Sequence, residues 1–173
     1  MPLKSLGVPT SAFDNLFART GTDAASAAPG PLTPMTASGG TTVTFTQPGG
    51  DYKAHYFTAS GSFVVSDLGS TGEVDIVVVA GGGGGGAGGP GGSAGGGGAG
   101  AVIHQAGYTI SATGTYPITI GGGGSGGTPG PKTGAKGGTT TIAFPTSVSA
   151  DGGGYGDFGT NNGGDGGSGG GGG

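Results

Sequence analysis

The sequence predicts a mainly β protein: a small β-sandwich-like domain with inserted glycine-rich segments of the polyglycine II type, preceded by an extended N-terminal arm with one short helix. Short runs rich in Val, Ile, Thr, Tyr and Phe recur from residue 41 onward. Three of these runs lead directly into glycine tracts, at residues 81–100, 121–127 and 152–173. Residues 1–40 lack both features and carry three prolines between positions 29 and 34.

The glycine content admits three interpretations. There are 51 glycines in 173 residues, but they do not fall on every third position, so a collagen helix is excluded. Disorder is disfavoured because the chain has clear β segments and only 8 % charged residues. Apolar strands flank the tracts, which favours ordered extended rods over mobile loops. Ordering a glycine costs about 0.5–1 kcal/mol more than ordering an alanine, so dense backbone hydrogen bonding and oligomerisation are expected.

Composition also narrows the class of function. The formal net charge is −4 without a basic patch, which argues against a nucleic-acid partner. The absence of cysteine excludes disulfides and thiol catalysis. The sequence has no apolar run of about 18 residues, so no membrane span is expected, and its first residues show no secretory signal.

The arm, residues 1–40, is predicted to contain a short helix over residues 11–20. Ser11 and Asp14 have the spacing of a capping box, and Phe13, Leu16 and Phe17 would lie on one face of the predicted helix. A helix of this length is marginal alone in water. Three outcomes are open: it packs on its own domain, it docks into a partner protein, or it does not form. A proline-rich spacer over residues 28–36 follows, which favours polyproline II.

The glycine-rich β domain is predicted to occupy residues 41–173. Residues 73–79 are expected to form a strand that becomes buried on both faces. Pro117 places its strand at an edge, or its nitrogen outward. The remaining predicted strands are residues 42–46, a hairpin of 52–58 with 63–65, a strand at 101–105, a pair of 108–111 with 116–120, and a hairpin of 139–144 with 147–150.

No pattern for catalysis, a metal or a cofactor is present in the sequence. His55 and His104 are the only histidines, and neither has a second ligand at metal-binding spacing. Asp165 lies in a short match to the calcium nonapeptide repeat, but the repeat does not continue. The many G-x-G-x-x-G windows carry no weight in a chain this rich in glycine. The expected function is therefore non-enzymatic, without cofactor.

The last segment holds the candidate contact residues for a receptor. Tyr155, Phe158, Asn161 and Asn162 stand out among the glycines. Aromatic side chains beside small polar ones suit adaptable recognition. The alternative is that they pack against the glycine rods.

A strand at residues 56–65 is followed by a strand at residues 74–80 that leads into a glycine tract, then by an edge strand at residues 99–102, and then by a strand with its own glycine tract at residues 116–124. In this order of strands and glycine tracts, residues 41–173 resemble the glycine-rich domain of bacteriophage tail-fibre and adhesin proteins. This resemblance implies a virion protein in which stacked polyglycine II helices form a sandwich whose loops touch host receptors.

The resemblance implies a tail fibre or adhesin-type appendage that contributes to host attachment. By analogy, residues 1–40, through Phe13, Leu16 and Phe17, would attach it to other virion proteins. A homo-oligomer is expected, with a trimer as one candidate. The alternatives are a capsid decoration protein and a cellular extracellular glycine-rich protein. Because the sequence ends inside a glycine tract, we expect either that the chain continues or that a terminal rod is held by its neighbours.

Overall fold

The computed structural model describes residues 32–47 and 50–173. This part of the chain is mainly β and contains no helix, which confirms the predicted class. The helix expected over residues 11–20, with Phe13, Leu16 and Phe17, and residues 28–31 of the spacer at 28–36 lie outside the described residues. The strands are β1 Thr36–Ser38, β2 Thr41–Gln47, β3 Gly50–Tyr56, β4 Gly61–Asp67, β5 Glu73–Val79, β6 Val102–Thr109, β7 Gly114–Thr119, β8 Thr140–Ile142 and β9 Val148–Ala150.

The strands form three antiparallel sheets. A five-stranded sheet has the order β1-β4-β7-β8-β9, while β2 pairs with β3 and β5 pairs with β6. The β5–β6 ribbon contacts β8 and β9, so it forms a second layer over one end of the five-stranded sheet. β1 belongs to the five-stranded sheet, and the compact unit that contains all nine strands of the described residues begins at Thr33.

The core lies between these two layers and is built from alternating residues of their strands. Phe144 is at its centre: its ring stacks on Tyr108 and meets Tyr116 edge-on, with both pairs of centroids 5.1 Å apart. The Tyr108 hydroxyl donates to the carbonyl oxygen of Thr146 at 2.6 Å, so the buried ring keeps a partner for its polar end. The buried apolar residues are Phe63, Val65, Ile76, Val78, Ala80, Tyr108, Ile110, Tyr116, Ile118, Ile142, Phe144, Val148 and Ala150.

Several strand predictions are confirmed and others are wrong. β5 has the predicted bounds, and β8 and β9 form the predicted hairpin. However, residues 52–58 do not form a hairpin with 63–65, because β3 pairs along its whole length with β2. The short connection between β2 and β3 closes a smaller loop, which favours this neighbour.

The predicted pairing of residues 108–111 with 116–120 is also wrong. β6 pairs with β5, and β7 lies between β4 and β8, so the strand that contains Pro117 is not at an edge. The carbonyl oxygen of Pro117 accepts from Ala143, just past the end of β8. The backbone nitrogen and carbonyl of one residue point to the same side of an extended strand. The Pro117 nitrogen therefore faces Ala143, beyond the last residue of β8, where no strand hydrogen bond is required of it.

β5 is not buried on both faces. Its burial alternates: Ile76 and Val78 lie in the core, while Val77 and Val79 are 66 % and 57 % exposed. An antiparallel two-stranded layer has one face toward the core and one toward solvent. The consecutive apolar residues of β5 therefore reflect the β propensity of valine and isoleucine as well as burial in the core.

Candidate functional site

Each of three strands continues directly into a pair of glycine-rich segments joined by a turn. Segments I (80–87) and II (94–101) connect β5 to β6, and segments III (120–127) and IV (132–138) connect β7 to β8. Segments V (151–157) and VI (163–173) follow β9. The six segments lie side by side and form a bundle that extends from one end of the β layers.

Backbone hydrogen bonds between segments hold the bundle together, and they repeat every third residue. From segment I to segment IV the donors and acceptors are Gly81 to Gly138, Gly84 to Ala135, and Ala87 to Lys132, at 3.0, 2.8 and 2.7 Å. Segment I also donates hydrogen bonds to segment II, from the amides of Gly83 and Gly86. Its carbonyl oxygens accept bonds from segment III, at Gly82 and Gly85, and from segment V, at Gly81 and Gly84. Segment I is therefore hydrogen-bonded to four neighbouring segments.

The glycines of the bundle are needed for close approach and not for an unusual backbone conformation. None of the glycines in segments I–VI has φ in the left-handed region, whereas Gly91 and Gly159 in the turns have φ of 83° and 73°. A Cβ on Gly84 would overlap the carbonyl oxygen of Ser125, and one on Gly83 would overlap that of Gly154. A Cβ on Gly122 would meet nothing within 4 Å. Close packing therefore requires glycine only at the positions that face a neighbouring segment.

The three turns meet at the end of the bundle away from the β layers. We call residues 88–93, 128–131 and 158–162 the tip. The Gly159 amide donates to the carbonyl oxygen of Ser93 at 3.2 Å, which joins the third turn to the first. The Lys132 ammonium lies 3.8 Å from the centre of the Phe158 ring, which joins the third turn to the start of segment IV, directly after the second turn. The turns are therefore held in a fixed arrangement relative to one another.

The Phe158 side chain links the third turn to the first turn and to the start of segment IV. The Phe158 ring lies so close to Gly92 that a Cβ added at Gly92 would be only 2.5 Å from the Cζ atom of Phe158. Lys132 covers the ring on another side, a cation–π contact worth about 0.5–1 kcal/mol at an exposed position. The Asp157 carboxylate accepts from the Thr133 hydroxyl at 2.7 Å and from the Phe158 amide at 2.8 Å. These contacts fix the start of the third turn.

The structure brings the four sequence-predicted contact residues together in segment V and the third turn, but in different roles. The ring of Tyr155 packs against Gly164, where a Cβ would overlap it. Both aromatic rings are half-buried, and Asn161 and Asn162 are exposed at the tip. The two asparagines are thus presented to solvent, while Tyr155 and Phe158 pack the bundle.

Sequence reasoning missed Lys132, Thr133 and Asp157. They come from two glycine hairpins separated by more than twenty residues of sequence, and no local motif joins them. Only the register between segments IV and V places Thr133 beside Asp157.

The His, Asp and Glu side chains of the described residues do not come together in a further site. No group of three His, Asp or Glu side chains that could hold a metal occurs among the residues described. The Nδ1 of His55 lies 2.8 Å from the carbonyl oxygen of Gly39, and its ring meets Phe63 edge-on, so it has a structural role. The described residues include no helix of sufficient length and apolarity to cross a membrane.

The family profile described as "Glycine-rich domain" matches residues 57–173. The chain belongs to the glycine-rich domain family. The match begins just before β4 and includes all six segments and the tip, whereas β1, β2 and β3 precede it. No curated protein and no solved structure matches the chain. In this glycine-rich domain, the bundle and its tip are the structural features that bear on function.

Proposed function

We propose that the chain is a non-enzymatic structural protein of a phage virion, a tail fibre or adhesin-type appendage that contributes to host attachment. One observation carries the proposal: a laterally bonded bundle presents three turns at one end and joins the β layers at the other. Membership of the glycine-rich domain family and the resemblance of residues 41–173 to phage adhesins support it.

The proposal includes a conformation for the bundle, which is polyglycine II. This helix has three residues per turn and no internal hydrogen bonds, so its amides are free to bond to neighbouring rods. The three-residue repeat of bonds from segment I to its neighbours supports the assignment. A bundle bonded in this way is stiffer than a set of separate loops, and stiffness lowers the entropy lost when the tip binds.

The tip has the chemistry of a surface that recognises a partner by shape and hydrogen bonds. Its exposed side chains include Pro90, Ser93, Thr128, Thr160 and the two adjacent asparagines. The serine, threonine and asparagine side chains are small, uncharged and polar, and the proline ring is rigid. Hydroxyl and amide groups of this kind give adaptable hydrogen bonding at a recognition surface. The proposed partner is a receptor on the host cell surface.

Assembly into the virion completes the proposal. Residues 1–40, with Phe13, Leu16 and Phe17, would bind other virion proteins, and the chain would form a homo-oligomer, with a trimer as one candidate. Exposed apolar side chains on two strand ribbons support a subunit of an assembly: Val77, Val79 and Val102 on β5–β6, and Val43, Phe45 and Tyr52 on β2–β3.

Gold-labelled antibodies against the purified chain test the location on virus particles released by cells that carry the gene. We expect gold at tails or tail-derived appendages. Gold over heads would favour a capsid decoration protein, and unlabelled particles would overturn the virion assignment.

Attachment is tested separately with the fluorescently labelled chain on host cells. The paired substitution of Thr160 and Asn161 by alanine should reduce cell binding, because it removes exposed polar groups of the tip without entering the bundle. Ser125→Ala is the matched control, since Ser125 is exposed on the side of segment III. Equal loss in both variants would contradict recognition by the tip.

A further inference from the structure

The third turn of the tip contains an asparagine followed by a glycine. Asn161 and Asn162 are exposed, and Gly163 comes directly after them. The chain has only one other asparagine, Asn15, which is followed by leucine. An asparagine is chemically labile when the next residue leaves its backbone nitrogen accessible, and glycine does so because it has no Cβ.

The reaction is intramolecular and needs only water. The backbone nitrogen of Gly163 attacks Cγ of Asn162 and forms a five-membered succinimide. The bond from Cγ to the side-chain amide nitrogen breaks, and ammonia leaves with the proton that the backbone nitrogen has lost. Water then hydrolyses one of the two ring carbonyls. Attack at one gives aspartate, and attack at the other gives isoaspartate; nothing is oxidised or reduced.

The backbone amides around Asn162 donate none of the backbone hydrogen bonds of the bundle. Among the backbone hydrogen bonds of the described residues, none is donated by Asn161, Asn162 or Gly163. The first bond of segment VI is one residue later, from the Gly164 amide to the carbonyl oxygen of Tyr155 at 2.8 Å. The attacking nitrogen therefore does not have to break a backbone hydrogen bond of the bundle.

We propose that Asn162 is a site of spontaneous deamidation that places a carboxylate on the tip as the protein ages. Conversion makes the formal net charge of −4 more negative by one unit, at a surface whose other exposed groups are mostly neutral. The isoaspartate product also inserts a methylene into the main chain immediately before the bonds that hold segment VI. The consequence for host attachment rests on the proposed function, whereas the modification itself does not.

Peptide mapping by mass spectrometry tests the proposal on the full chain. The purified protein is incubated in warm buffer at neutral and at mildly alkaline pH, and sampled over time. We expect the peptide containing Asn162 to gain the mass of an amide-to-acid conversion, with aspartate and isoaspartate as separable products. Conversion should be faster at alkaline pH, because the attacking nitrogen must lose its proton.

Asn161 is the matched control within the same turn, since the residue after it is Asn162, whose side chain hinders the attack. Asn162→Gln should abolish the mass gain in this peptide, and Asn161→Gln should leave it unchanged. The proposal is overturned if Asn162 stays intact in the folded chain while a linear peptide of the same sequence converts. It is equally overturned if Asn161 converts as fast as Asn162. Neither result depends on whether the protein binds cells.

Discussion

At the scale of single residues, two kinds of glycine differ in what they contribute. Glycines that face a neighbouring segment, such as Gly84, leave no space for a Cβ. Glycines that face solvent, such as Gly122 and Gly96, have nothing within 4 Å of an added Cβ. All three have backbone conformations outside the left-handed region, so packing alone separates them.

Gly84→Ala and Gly122→Ala should therefore change stability in opposite directions. At Gly84 the methyl group forces segments I and III apart, and overpacking of this kind costs about 1–3 kcal/mol. At Gly122 the methyl group meets open space and restricts the unfolded chain, which stabilises by about 0.4–1 kcal/mol. Urea unfolding of the two variants and the wild type measures both effects. A similar loss in both would show that glycine is required for conformation and not for packing.

Phe158→Ala should loosen the tip. The substitution removes the ring that contacts Gly92 and Lys132, and the half-buried position predicts a loss below the about 3–5 kcal/mol found for buried phenylalanines. Hydrogen exchange should rise at Gly159, whose amide is bonded to Ser93. Phe45→Ala, on the β2–β3 ribbon, is the control. Unchanged exchange at Gly159 in Phe158→Ala would argue against a packing role for this ring.

At the scale of elements, the glycine segments replace a side-chain core with backbone hydrogen bonds. Each segment has its neighbours within hydrogen-bonding distance because no side chain separates them. An intramolecular hydrogen bond contributes only about 0.5–1.5 kcal/mol net, while ordering each glycine costs about 0.5–1 kcal/mol more than ordering alanine. The bundle therefore needs neighbours on several sides of a segment, and segment I has four.

Amide exchange should follow the three-residue repeat along segment III. The amides of Gly124 and Gly127 donate to Gly82 and Gly85, both at 2.8 Å, and should be protected. The intervening amides of Ser125 and Gly126 donate no backbone bond to another described segment and should exchange quickly. Residue-resolved NMR exchange distinguishes these positions. Uniformly fast exchange along the segment would contradict an ordered bundle.

At the scale of the whole molecule, the β layers and the bundle form one continuous structure. Core residues such as Ala80 and Ala150 lie where a strand becomes a segment, and both are buried. The Thr140 hydroxyl, also buried, accepts from the Gly121 amide at 3.0 Å at the same junction. The bundle is therefore joined to the β layers by hydrogen bonds and packed side chains.

Deletion of residues 1–30 tests the division of roles along the chain. Because the compact unit begins at Thr33, the shortened protein should unfold at the same temperature as the full chain. It should nevertheless fail to join virus particles, since the proposed attachment residues Phe13, Leu16 and Phe17 are lost. Calorimetry and quantitative blotting of purified particles measure the two properties. Full occupancy of particles by the shortened chain would contradict the proposed attachment role.

The β class, the bounds of β5 and the β8–β9 hairpin could be predicted from the amino-acid sequence, because alternating apolar residues and short turns act locally. The sequence also indicated that the glycine tracts are ordered extensions of strands. The three-dimensional structure was needed to establish which distant strands pair and that β7 lies between β4 and β8. It was also needed to show that Lys132 contacts Phe158 and that Thr133 contacts Asp157, at or beside the tip. These contacts depend on the register of backbone bonds between segments far apart in sequence, and glycine carries no side chain that could specify that register locally.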